Sequence, residues 1–360
     1  MHVVRTGGGA ACADGDARDA SPYLGRDGIT LRRQHDDDMP FSNLIRLRGK
    51  LGITLNFKHP DAPDIFADLV RDADIVVENF SAGVSERLGI GYSQARAINP
   101  RIVYCSITGF GQDGPKADIA AHDLNYQADA GLLSIAAGAD GAPVVPSALI
   151  ADIAGGAYPA VMNILLALRQ REHDGHGCHL DIAMTDGLLP FVYWGIGNGA
   201  VRGTWPKPGK ELLSGGSPRY QIYRTADGRY LAAAPLEEKF WANFCAAIGL
   251  PPAFRDDRSD PQATIAAVRR IVVGKTAAQW TEVFAGKDVC CNLVQSVDEA
   301  LRDPQFAARG VFRRSVIGED YDSLPAISVP IAEAFRDRRT ELEYPRLGEG
   351  EGLLQHPAQA

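Results

Sequence analysis

The spacing of hydrophobic and polar positions changes at Leu51. Before it, residues 1–40 mix Gly, Ala, Asp and Arg without an apolar period, a texture that predicts no folding on its own. From Leu51 the run LGITLNF alternates as a strand does, Asp61 stands where it can cap the helix DAPDIFADLVRDA, and DIVVENF reads as a buried strand. The short helical stretch YSQARAI then leads into the strand RIVYCSIT. Strands and helices in this alternation predict an α/β fold with a parallel sheet and right-handed crossovers. Ligands on such sheets sit beyond the carboxyl ends of the strands, which puts the loops NFSAGV and GFGQDGP on the functional edge.

Further on, DIAGGAYPAVMNILLALRQREHDGHG predicts a long helix with an apolar face of Ile164, Leu165 and Leu168, ended by Asp174-Gly175. Gly155 and Gly156 near its start would let backbone or ligand approach closely. The Pro- and Gly-rich segment WPKPGKELLSGGSP reads as an interdomain connection. QIYRTADGRYLAAAP predicts a hairpin turning at Asp227-Gly228, and helical patterns follow at about 238–248, 262–273 and 276–285, so a smaller α+β domain is expected there.

Composition narrows the function classes. At 360 residues, two domains are a better expectation than one. Hydrophobic residues make up 45% and charged residues 23%, ordinary for a soluble globular enzyme. The net charge of -8 gives no global attraction to nucleic acid or anionic lipid, so a polyanionic ligand must be held by local Arg, Lys and backbone donors. Six scattered cysteines without a C-x-x-C pair predict neither a disulfide framework nor a zinc site, and fit a reducing cytoplasm. Residues 1–20 lack the apolar segment of a secretory signal, and the stretch from Tyr158 to Leu168, interrupted by Asn163, falls short of a membrane span.

Four local patterns invite chemistry. Gly109-Phe-Gly111-Gln-Asp-Gly114 matches G-x-G-x-x-G after a strand, but Pro115-Lys116-Ala117-Asp118 follows where a nicotinamide fingerprint needs a helix to open. That leaves a plain glycine-rich connection, or a loop whose amides approach another phosphate or thioester ligand. His173, His176, Cys178 and His179 straddle a turn at no familiar zinc spacing, so no metal is expected; Cys290-Cys291 reads as two small residues at a buried edge. In Ala121-His122-Asp123-Leu124-Asn125-Tyr126, Asp123 is either a helix cap or part of a site. Asp152, between Ala151 and Ile153, either caps the long helix or is a desolvated carboxylate beside a substrate.

Taken jointly, several segments resemble one family. DIVVENFSAGVSERLGIGY, SITGFGQDGP, AHDLNYQADAG, IADIAGGAYPAVMNILLAL, DGHGCHLDIAM, YRTADGRYLAAAPLEEKFW and YPRLGEG follow in order the motifs of the family III CoA-transferase (CaiB/BaiF) superfamily, on the side of its α-methylacyl-CoA racemases. The resemblance runs from about Arg48 to Leu354. It implies a Rossmann-like large domain over 41–205 that resumes at 326–360, a small α+β domain over 206–325, and an interlocked homodimer. It also implies an acyl-CoA substrate, with coenzyme A as part of that substrate and no permanently bound cofactor.

Carried over position by position, the resemblance makes Asp152 and His122 the acid/base pair of a racemase, with Glu237 setting their protonation and the Asp123 N–H as oxyanion donor. Arg48, Lys50, Asn79, Arg87, Gly109, Gly111 and Tyr126 become the expected coenzyme A contacts. The competing expectation is CoA transfer between an acyl-CoA and a carboxylic acid, with Asp152 as nucleophile and Gly215-Gly216 in a loop shielding an aspartyl-CoA intermediate. Two departures stand out. Residues 1–40 carry none of the family's first strand-helix motif, so an N-terminal βα unit is expected to be missing, and Ser81-Ala82 replaces the family's Arg-Pro. They raise a third expectation, an inactive paralogue.

Overall fold

The structure is a computed structural model that describes residues 4–5, 49–53, 55–138, 140–318, 321–327 and 329–343. Arg48, most of the 1–40 segment and the chain beyond 343 lie outside the described residues. In chain order the strands are β1 (Val4–Arg5), β2 (Leu51–Gly52), β3 (Ile75–Glu78), β4 (Val103–Thr108), β5 (His179–Ala183), β6 (Gln221–Arg224), β7 (Tyr230–Ala233), β8 (Cys291–Leu293), β9 (Ser315–Gly318), β10 (Tyr321–Pro325) and β11 (Glu341–Glu343). They fall into two compact units: one of Met1–Asp74, Glu86–Ile102 and Ser296–Ala360, the other of Ile75–Ser85 and Val103–Gln295.

In the first unit β1 pairs parallel with β2, while β9 pairs antiparallel with β10 and parallel with β11. The alternation of LGITLNF yields a ladder only at Leu51–Gly52. Ile53 and Leu55 are buried all the same, so the alternation reports which side chains face inward rather than how far pairing extends. The helix Ala62–Arg71 buries Ala62, Phe66 and Val70, spaced four apart on one face. Asp61 occupies its N-cap position but, contrary to expectation, makes no side-chain cap; with φ -82° and ψ -7° its backbone is already helical instead of extended. At the other end Asn99 Nδ2 donates to the carbonyls of Val70 (3.1 Å) and Ala73 (2.9 Å), tying down the turn that ends the helix.

The second unit holds the parallel sheet, ordered β3-β4-β5, with Ile75 opposite Val103 and Tyr104 opposite His179. On one face Val103, Cys105 and Ile182 pack against Ala160, Ile164 and Ala167 of the helix Tyr158–Asp174. Leu165, expected on that face, is exposed; at 3.6 residues per turn it lies across the helix from the 160/164/167 stripe. A π-helical stretch, Ala151–Ala157, runs into this helix, and Gly175 (φ 80°) ends it in the left-handed conformation that glycine adopts without strain. With that extension Ala151–Asp174 is long and apolar enough to cross a membrane by length and composition, which corrects the expectation drawn from 158–168 alone; its inner stripe nevertheless packs on β4 and β5.

The same unit carries the antiparallel sheet β6-β7-β8, with the anticipated turn at Gly228 (φ 79°). Helices Glu238–Ile248, Pro261–Val272 and Ala277–Phe284 cover it around a core that includes Tyr223, Leu231, Trp241, Phe244 and Trp280. Cys291 sits partly buried on β8, whereas Cys290 is exposed at φ 45°, so the buried-edge reading holds for the second cysteine only.

Candidate active site

The register of the parallel sheet gathers the candidate residues. Glu78 lies opposite Ser106 and Thr108 opposite Ala183, so the chain leaves β3, β4 and β5 at one common carboxyl edge. After β3, the buried Glu78 carboxylate accepts the Phe80 N–H at 2.7 Å and the Ser85 hydroxyl at 3.5 Å, which folds the loop back and leaves Asn79 exposed. Arg87 is exposed at the end of the helix Val84–Arg87.

After β4, the glycine-rich loop is braced by its neighbours. Thr108 Oγ1 accepts the Gly111 N–H at 2.9 Å, and the Asp181 carboxylate accepts the Gln112 N–H at 3.0 and 3.2 Å. The Gly109 carbonyl accepts both the N–H and the hydroxyl of Thr185, each at 3.0 Å. Gly111 has φ 91°, and a Cβ on Gly109 would stand 2.1 Å from the Tyr126 ring, so each glycine has its own reason: backbone conformation in one case, close approach in the other. Residues 115–118 form turns, not a helix, which removes the dinucleotide reading.

His122 then begins the helix Asp123–Asp129, exposed and in extended conformation. Its backbone is held from both sides by Asn125, whose side-chain oxygen accepts the His122 N–H at 3.1 Å and whose N–H donates to the His122 carbonyl at 2.8 Å. Tyr126 on the next turn is buried, donates its hydroxyl to the Ala121 carbonyl at 2.7 Å, and meets Phe110 edge to face at 5.2 Å. Burial, and after it the neighbouring Asp152 carboxylate, raise the Tyr126 phenol above its ordinary value.

Asp123 and Asp152 meet through the backbone. Asp123 is buried, and its Oδ1 accepts the N–H groups of Ala151 (2.7 Å) and Asp152 (3.0 Å), while its Oδ2 accepts from Gln127 Nε2 at 2.5 Å. Asp123 therefore serves not its own helix but the one that starts near residue 151, whose N-cap position is Ile150. The π-helical form of that start is a distortion often found at functional positions. Close backbone contact fixes the same start against the helix Met184–Leu188, which follows β5: a Cβ on Gly155 would stand 2.4 Å from the Met184 carbonyl oxygen, and one on Gly187 2.3 Å from that of Gly155. Asp152, partly buried, is thereby held at the carboxyl edge with the Gly109–Gly114 loop and His122.

The remaining candidates lie on other elements. Glu237 is exposed at the N-cap of Glu238–Ile248, its carbonyl taking the Trp241 N–H at 2.9 Å. Gly215 (φ 97°) and Gly216 are tied by Gln221 Nε2 to the Gly215 carbonyl (2.8 Å) and by the Gly216 N–H to the Glu211 carbonyl (2.9 Å). Lys50 is partly buried in the first unit. Among the described residues no His/Cys/Asp/Glu cluster could hold a metal ion.

Sequence reading missed Gln127, Thr185, Asp181 and Gly187. Gln127 was within reach, since four residues after Asp123 it shares a helix face. The other three meet partners distant in the chain and carry no local signal. At this sheet edge the exposed His122 and the partly buried Asp152 lie on segments joined through the Asp123 carboxylate, with first-turn N–H groups that have no intrahelical acceptor. Such a set can remove a proton, return one, and hold an oxyanion.

Known proteins resemble this chain over most of its length. The family model CoA-transferase family III matches residues 15–351. The chain is 32% identical to human alpha-methylacyl-CoA racemase over 287 residues, 77% of this chain and 73% of that protein. It is also 32% identical to the succinate--glutarate CoA-transferase of Agrobacterium fabrum over 311 residues, 84% of this chain and 76% of that protein. Among solved structures, a CAIB/BAIF family protein from Brucella suis superposes with a TM-score of 0.70 at 27% identity, covering 86% of this chain and 81% of its own.

Proposed function

We propose, from the premise that the chain belongs to CoA-transferase family III, that it epimerises 2-methylacyl-CoA thioesters by moving the α-proton between His122 and Asp152. Inversion at C2 requires a proton to leave one face of the substrate and another to arrive at the opposite face, hence two acid/base groups. One of the pair takes the proton from C2, the C–H electron pair passes into the thioester as an enolate, and the other group, protonated, delivers its proton to the far face. The pair ends the turnover with its protonation reversed and resets by exchange with solvent. The N–H of Asp123, in the first turn of its helix, is the donor for the enolate oxygen.

The observation that carries this reading is the pair of bonds from Asp123 to the amides of Ala151 and Asp152, which joins the His122 segment to the Asp152 segment. Kinship at 32% identity with the human racemase supports it. In the same proposal Glu237 tunes the pair, Lys50, Asn79, Arg87, Gly109, Gly111, Tyr126 and, outside the described residues, Arg48 contact coenzyme A, and the working form is a homodimer. Incubation with a chiral 2-methylacyl-CoA in deuterated water should place deuterium at C2, and Asp152→Ala should abolish this. Absence of exchange by wild type, or undiminished exchange by the variant, rejects racemisation.

Kinship at the same identity with CoA-transferases supports a second reading. There the Asp152 carboxylate attacks the thioester carbonyl and CoA leaves as thiolate, giving a mixed anhydride; the thiolate then attacks the aspartyl carbonyl, releasing the free acid and leaving aspartyl-CoA. Hydroxylamine trapping at Asp152, together with movement of CoA to an added free acid, would decide for transfer.

A further inference from the structure

We infer that the Asp123 carboxylate is the positioning group of this site, a tie that sets the separation between the His122 and Asp152 segments; the inference rests on the roles proposed above for those two residues. The carboxylate of Asp123 is spent entirely inside the protein. It is buried, and it accepts from Ala151 N at 2.7 Å, Asp152 N at 3.0 Å and Gln127 Nε2 at 2.5 Å. An ionised carboxylate only accepts, so one oxygen can serve two consecutive amides of a helix start, where the N–H groups lack intrahelical acceptors and the dipole favours negative charge. Residue 122 precedes this carboxylate in the chain and residue 152 supplies one of its donors. Any shift of one segment against the other must break these bonds.

Gln127 supplies the handle for a test. Its side chain is 1% exposed, its Nε2 faces Asp123, and its Oε1 is buried without a hydrogen-bond partner. An asparagine at 123 keeps one oxygen for the two amides and turns an NH2 toward Gln127. Rotation of the Gln127 amide would then present Oε1 to that donor, satisfying the atom that is now unpaired. Asp123→Asn therefore preserves the tie without its charge, while Asp123→Ala removes it and leaves two buried donors unpaired.

The readouts are backbone amide exchange of residues 150–157 by mass spectrometry, and kcat and KM for the acyl-CoA. In Asp123→Ala the exchange of the 151 and 152 amides should rise about tenfold or more. Its kcat should fall on the order of 100-fold, the scale set by a misplacement of about 1 Å, with KM changed less than about threefold. Asp123→Asn should keep near wild-type exchange and lose only about fivefold in kcat. Unchanged exchange in Asp123→Ala, or exchange in Asp123→Asn as fast as in Asp123→Ala, overturns the inference. Should Asp123→Ala fail to fold, Asp123→Ser takes its place, because its shorter hydroxyl cannot span to both amides: exchange faster than in Asp123→Asn supports the tie, and exchange equal to it refutes it. A wild-type chain with neither proton exchange nor CoA transfer sinks the proposed function, whereas amide exchange in these variants still decides the tie.

Discussion

Cys105 shows how one buried side chain couples the sheet to pH. It lies on the central strand β4 with no exposed surface, and burial first, then the charges of Glu78 and Asp181, push its thiol up to about 12. The unfolded thiol ionises near 9.0, so between these values the unfolded chain has lost a proton that the folded chain retains. Its contribution is therefore constant below about pH 9 and declines as pH rises toward 12, by about 1.4 kcal/mol per unit for one group. Thermal unfolding at pH 8 and pH 10.5 checks this: Tm should drop further in wild type than in Cys105→Ala, and equal drops would mean that the thiol is not the cause. Residues were unevenly legible. A carboxylate between Ala151 and Ile153, followed by glycines, stands out in the sequence as Asp152 does. Which of Asp123 and Asp152 caps the long helix does not stand out, because the amides that Asp123 binds lie 28 and 29 residues further along the chain.

Between elements, the decisive contact is the one that seats the start of the long helix on Met184–Leu188. Gly155 and Gly156 are adjacent, yet what faces them differs. A Cβ on Gly155 would sit 2.4 Å from a backbone oxygen, whereas one on Gly156 would sit 3.1 Å from Met184 Cγ, part of a flexible side chain. Gly155→Ala must push two helices apart and should cost about 1–3 kcal/mol, with Gly156→Ala costing less than about 1 kcal/mol. Urea midpoints for the two variants check the order, and equal losses would place the tight contact elsewhere. Helices with local start signals were legible in the sequence: Thr276 accepts the Gln279 N–H at 3.3 Å while Gln279 Oε1 accepts the Thr276 N–H at 2.9 Å, a capping box readable from spacing alone. The π-helical turn at Ala151–Ala157 was not, since the contacts around it, Gly155 on Gly187 and the bonds to Asp123, are long-range. Likewise the strand expected over LGITLNF ends at Gly52, because pairing depends on a partner that alternation does not encode.

At the scale of the whole molecule, the outer side of the long helix is the feature that calls for a partner. Val161, Met162, Leu165 and Leu166 follow each other at helical spacing, and the last two are 61% and 68% exposed. Scattered apolar residues on a surface are ordinary, but a continuous stripe opposite the buried 160/164/167 face is not. A second copy of the chain is the occupant we propose, consistent with the homodimer that the family resemblance implies. Lipid is the other medium that would cover such a stripe. Leu165→Glu/Leu166→Glu separates them. In detergent-free buffer the wild type should sediment at twice 38.7 kDa and the double variant at 38.7 kDa, because two buried carboxylates per subunit cannot be desolvated without partners. Recovery of the wild type only with membranes or detergent would instead favour lipid, and a double variant that remains dimeric would move the interface off this helix.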